Sequence, residues 1–196
     1  MFVAAPHPYF YPLNLNQQIT AAQKRDPKAE KALFLHFAPK VFLICRRYTR
    51  SREEAEDFLQ DCFLHLFQEI HRFDPEKGAF EGWLHRLSTN TILQHLRKQK
   101  RMISIDFPDE LPEPNLEEAD MEFISDEKLQ EAISCLPDGY KTVLNLYIFE
   151  KWSHQQIARE LEISESSSRS QLSRARKLLK QLLTEQIPQR HVQRLV

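Results

Sequence analysis

Ser166, Arg169, Ser170, Ser173, Arg174 and Lys177 fall within one short stretch, in a segment reading WSHQQIARELEISESSSRSQLSRARK over 152–177. Small hydroxyl side chains let a backbone approach base edges, while guanidinium and ammonium groups reach phosphates or guanine. Residues this small and this cationic add little to a core, so the chemistry they suit is hydrogen bonding in a DNA groove. A solvated basic face on an ordinary helical hairpin is the plainer alternative.

A second group combines aromatics with cations. Phe73, Phe80 and Trp83 crowd the loop Asp74-Pro75-Glu76-Lys77-Gly78, and Arg86, Asn90 and Arg97 follow on one helical flank, with Lys98 in the basic run behind them. Aromatic rings beside cations can hold unstacked bases of a single strand, although Trp83 and Phe80 equally suit a core. The third group is acidic: Asp57, Gln60 and Asp61 share a polar helix face with Glu53 and Glu54. The helix dipole accounts for acids in the first turn, but Asp57 and Asp61 are like charges four apart, which costs a few tenths of a kcal/mol. A basic protein partner would offset that cost, and a solvated face would explain the pattern as well.

These groups require helices. Ser153 is placed to cap a first short helix in 152–177, and Ser164 a second. Ile157, Ala158, Leu161 and Ile163 point to the inside of the turn, and Leu172, Ala175 and Leu179 share the side opposite the serines. Upstream, Glu127–Cys135 is amphipathic and residues 138–149 form another helix, giving a four-helix unit. In the N-terminal half, helical spacing runs through Ala32, Leu33, Phe37, Val41, Ile44 and Cys45. It recurs from Arg52 to Ile70 in Ala55, Phe58, Leu59, Cys62, Phe63, Leu66 and Phe67. A third long helix, about Phe80–Lys100, buries Phe80, Trp83, Leu84 and Leu87.

Charge divides the chain of 196 residues into blocks: +5 over 14–101, −10 over 102–127 and +4 over 128–196. The acidic strip has three prolines and no cation, so it reads as an extended linker. The expected fold is all-α: an N-terminal tail (1–19), a first helical domain (20–101), the acidic linker (102–127), a second helical domain (128–183) and a C-terminal tail (184–196). No run approaches the roughly 18 apolar residues of a membrane span, and 1–15 lacks the cationic start of a secretory signal. Cys45, Cys62 and Cys135 fit neither a CxxC site nor an even disulfide set. The eight histidines show no paired zinc spacing. These features predict a cytosolic, reduced, metal-free chain with no cofactor and no small-molecule substrate.

Together these segments resemble the extracytoplasmic-function (ECF) class of bacterial sigma factors. EEAEDFLQDCFLHLF resembles the core-polymerase-binding helix of region 2, and FEGWLHRLSTNTILQHLRKQKR its promoter-melting helix. LPDGYKTVLNLYIFEKWSHQQIA through SRARKLL resembles region 4. The resemblance implies a non-enzymatic subunit that joins core RNA polymerase through its β′ and β subunits and binds promoter DNA. It acts in the cytoplasm, nucleoid-associated as holoenzyme, and an anti-sigma factor is a possible partner of the class. By position, Asp57, Gln60 and Asp61 would meet the β′ clamp helices. Trp83, Arg86, Asn90, Arg97, Lys98 and the 74–79 loop would serve the −10 element. Ser166, Arg169, Ser170, Ser173, Arg174 and Lys177 would serve the −35 element. Two positions depart from the pattern. Glu162 replaces the usual turn Gly, where φ > 0 costs a non-Gly residue on the order of 1 kcal/mol, and Ser168 replaces an apolar plug. The alternative is a two-domain helix-turn-helix regulator independent of polymerase, which would carry a phospho-acceptor domain of Val/Ile strands. A further alternative, a metal-dependent hydrolase built from the histidines, is disfavoured because no two histidines pair at ligand spacing on one face.

Overall fold

The computed structural model describes residues 14–98 and 126–184. Eight α-helices and two 3-10 turns (Ile70–Arg72 and Pro75–Lys77) make up the regular structure there: α1 (Leu15–Gln23), α2 (Pro27–Tyr48), α3 (Arg52–Glu69), α4 (Phe80–Lys98), α5 (Asp126–Ser134), α6 (Asp138–Ile148), α7 (His154–Leu161) and α8 (Glu165–Thr184). Local chemistry sets the starts. Asp26 accepts from the Lys28 amide (2.8 Å) ahead of Pro27, whose fixed φ suits the first helical position. Ser51 accepts from the Glu54 amide (3.1 Å) at the head of α3, satisfying an otherwise orphan donor.

Helices α1–α4 form the first body. Its core runs through Leu33, Phe37, Val41, Cys45, Ala55, Phe58, Cys62, Leu66, Leu84, Ile92 and Leu96, all buried. Aromatic rings tie it together: Phe37 meets Phe80 at 5.3 Å and Phe80 meets Phe73 at 5.1 Å. Each such side chain stabilises by roughly 1.5–3 kcal/mol when fully buried. Cys45 and Cys62 sit side by side there; the hydrogen bond to Cys62 and the burial hold the Cys45 thiol protonated far above its usual range. Both behave as small apolar residues.

Two boundaries differ from the sequence-based expectation. The tail was expected to run to residue 19, but α1 begins at Leu15 and buries Ile19 and Ala22, which makes it part of the first body. The second unit begins at Asp126, two residues inside the expected linker; the rest of 102–127, like 185–196, lies outside the described residues. Trp83, expected in the core, is only half-buried.

Helices α5–α8 form the second body around Ile133, Leu136, Val143, Leu146, Ile157, Leu172 and Ala175. α2 also packs against α5 and α6, where one apolar cluster runs through both bodies and polar groups bridge the end of α2. The last carbonyls of a helix lack intrahelical donors; here α6 supplies them. Asn145 Nδ2 donates to the Arg47 carbonyl (2.6 Å) and Lys141 Nζ to the Thr49 carbonyl (3.4 Å). Arg50 holds Asp138 through two bonds of 3.1 and 2.9 Å. The Arg47 guanidinium lies 4.4 Å from the Phe149 ring. Further along, His85 pairs with Glu150 at 2.9 Å and Arg97 with the Glu160 carboxylate.

Candidate nucleic-acid interface

The α7–α8 unit is built by caps. Ser153 accepts from the Gln156 amide (3.2 Å), and Gln156 Oε1 accepts from the Ser153 amide (2.8 Å), a reciprocal capping box. α7 ends at Glu162 with φ 56 and ψ 40, the left-handed conformation that the turn position requires. The Ile163 amide then closes onto the Ala158 carbonyl at 3.0 Å. Ser164 accepts from the Ser167 amide (3.0 Å) at the head of α8, as the sequence predicts.

On α8, Ser166, Arg169 and Lys177 are exposed, and Ser170, Ser173 and Arg174 are half-buried. Leu172 and Ala175 turn inward. Arg169 is held over the helix start by Glu165 at 3.1 Å. The structure therefore brings the six expected residues onto one helix, with Arg169 and Lys177 on its outer side.

On α4, Arg86, Asn90 and Lys98 are exposed while Trp83 leans on Phe73 (5.5 Å) and Phe80 (5.7 Å). The loop before it is ordered by Asp74, which accepts from the Glu76 amide at 3.0 Å and pairs with Lys77 at 3.3 Å. Gly78 has φ +145, a conformation few side chains tolerate. Arg97 does not join Arg86 and Asn90 here: it is turned to α7, bonding the Glu160 carbonyl at 2.7 Å as well as its carboxylate.

On α3, Asp57 and Gln60 are exposed. Asp61 is half-covered by His95, whose Nε2 lies 3.0 Å from its carboxylate. His95 also rests against Phe58 (5.2 Å). Glu54, Asp57, Phe58, Gln60, Asp61 and His95 line a depression of about 360 Å³. Glu53 stands at the helix start, where backbone N–H groups and Ser51 hold its carboxyl below the usual range. Pairs such as His95–Asp61 and His154–Ser168 (2.9 Å) escape sequence reasoning, because each joins different helices and spacing along one helix does not reveal it.

Among the described residues no helix is long and apolar enough to cross a membrane, and no group of three or more His, Cys, Asp or Glu is placed to hold a metal. Residues 33–102 match the Sigma-70 region 2 family and residues 126–179 the Sigma-70 region 4 family. The chain is 30% identical over 144 residues to the ECF RNA polymerase sigma factor SigM of Bacillus subtilis, covering 72% of this chain and 87% of that one. It is 29% identical over 171 residues to the ECF RNA polymerase sigma factor SigE of Mycolicibacterium smegmatis, covering 85% of this chain but spanning only 65% of that relative's length. The solved complex of the sigma factor RpoE with the anti-sigma factor NepR from Bartonella quintana is similar at 19% identity and a TM-score of 0.48, covering 80% of this chain and 98% of that one.

Proposed function

The chain belongs to the ECF RNA polymerase sigma factors, and from that premise we propose that it is a non-catalytic, dissociable subunit that directs core polymerase to promoters. The observation that carries the reading is the presence, on one chain and in family order, of an exposed acidic helix face and two separate DNA-suited faces. Asp57, Gln60 and Asp61 dock the β′ clamp helices, and the depression beside them suits a basic side chain. Ser166, Arg169, Ser170, Ser173, Arg174 and Lys177 read the −35 element. Trp83, Arg86, Asn90 and Lys98, joined by Arg97, capture unpaired bases of the −10 element, which makes strand separation favourable; flipping one base costs a few kcal/mol that such contacts return.

Geometry adds a condition. The two elements lie about 25 base pairs apart, roughly 85 Å of B-form DNA, whereas a compact body of this length is on the order of 40 Å across. The α2–α6 contact therefore parts when both grips engage, releasing Arg97 from Glu160. The protein works in the cytoplasm, with core polymerase and promoter DNA as partners and an anti-sigma factor as a further one. The second reading, a regulator independent of polymerase, has no phospho-acceptor domain of strands among the described residues to support it.

Co-purification with core polymerase and transcription from a promoter library test the proposal. Asp57→Lys with Asp61→Lys should abolish association while leaving the fold intact by circular dichroism. Wild-type chain that fails to bind core polymerase sinks it.

A further inference from the structure

Ser168 lies in the first turns of α8 between Arg169 and Ser167, yet it is fully buried (0% exposed). A buried hydroxyl without a partner costs about 1–3 kcal/mol. Its partner is the first residue of α7: His154 Nδ1 lies 2.9 Å from Ser168 Oγ. The His154 ring in turn stacks on Tyr147 of α6 (4.7 Å between centroids, 23° between planes), and Arg176 covers that same tyrosine ring at 5.7 Å. One polar column thus links α6, both helices of the helix-turn-helix and a second point on α8.

Resting on the function proposed above, we infer that the His154–Ser168 pair is the positioning element that sets the rotation of α8 and hence which upstream bases the chain reads. An apolar plug limits how closely helices approach but tolerates rolling. A hydrogen bond does not, because its strength falls steeply beyond about 3.2 Å and below about 120°. Side chains on a helix stand about 5–6 Å from its axis, so a 20° roll displaces their tips by roughly 2 Å. Base readout requires placement within about 0.5 Å. Ser168 is adjacent to Arg169 and two positions from Ser170, so any slack at the pair passes directly into those two readers. Tyr147 stacks on the imidazole plane and Arg176 covers Tyr147, so the bond has a fixed origin.

The test uses holoenzyme reconstituted from core polymerase and the full chain, with a promoter library randomised over the upstream element. Wild type first defines its preferred sequence and the ratio of transcription from that sequence over a scrambled one. Ser168→Ala and His154→Gln should each lower the ratio about tenfold, without changing association with core polymerase. His154→Asn, whose amide occupies the place of Nδ1, should stay within about twofold of wild type. The double variant Ser168→Ala with His154→Gln should be no worse than either single, since both remove one bond. Undiminished preference in both single variants overturns the inference, as does a double variant whose loss is the product of the singles. A wild-type holoenzyme indifferent to the upstream element overturns the reading of α8 itself, an outcome distinct from loss of the pair alone.

Discussion

The two bodies are held together by different kinds of contact. The first is an aromatic core: Phe37, Phe58, Phe63, Phe73 and Phe80 are all buried across its helices. The polar residues buried in it are Thr49, Ser88, Thr89 and Thr91, none of them charged, whereas the second buries Asp138, Lys141, Thr142, Asn145 and Ser168, two of them charged. Three of these, Asp138, Lys141 and Asn145, point at the end of α2. Polar groups that recover water on separation cost little to uncover, whereas apolar area does not. The surface between the bodies joins these polar groups to an apolar cluster that runs through both, so it parts only when a partner offsets the apolar area uncovered.

Phe37→Ala is the largest test of that contrast. Emptying a fully buried ring should cost about 3–5 kcal/mol, read from urea unfolding, and a loss near 1 kcal/mol would break the comparison. Asp138→Ala comes next. Removing the carboxylate beside a buried ammonium costs about 3–5 kcal/mol when the charge must stay buried, but here the halves can separate instead. The expected outcome is a larger radius of gyration in X-ray scattering with the unfolding of the first body unchanged. Co-destabilisation of that body would show the contact to be a true core.

The third test is acid. Burial, then Arg169, with Arg176 adding to them and Glu165 opposing, lowers the His154 pKa below its ordinary value near 6.5. The folded chain favours the neutral ring, so the unfolded chain takes up the proton first as pH falls. Stability of the second body is therefore complete above about pH 6.5 and declines below it until the folded ring also protonates. Thermal melts between pH 7.5 and 5.5 should show that slope, and His154→Asn should flatten it. The smallest effect belongs to Lys40→Ala. Its pair with Glu81 (2.8 Å) is 62% and 56% exposed, and such pairs contribute about 0–1 kcal/mol.

Much of this was legible in the sequence because it follows from local rules. The apolar stripe of α3, the caps at Ser153 and Ser164 and the breaks between helices need only neighbours in sequence. So does the left-handed Glu162, which the family position demands even of a non-glycine. The gathering of the serines and cations of α8 on one helix was legible too, since 3.6-residue spacing decides it, whereas Arg97 leaves the flank that spacing assigns it. What escaped depends on which helix meets which. Nothing near Ser168 announces a histidine fourteen positions earlier as its partner. Nothing near Arg97 announces Glu160, and no composition rule places Lys141 at the end of α2. The start of α1 escaped for another reason: Ile19 and Ala22 are too few to show a period, and only packing makes them core.

Lys141 carries one more consequence. Its ammonium, 1% exposed, is sealed between the bodies, so an amine reagent can reach it only while they are apart. The rate at which Lys141 is acylated, set against that of an exposed lysine such as Lys40, therefore clocks the opening of the resting molecule. Each acylation is also a wedge: the enlarged, uncharged side chain no longer fits beside Asp138 and Thr49, and the molecule that has once opened cannot shut again.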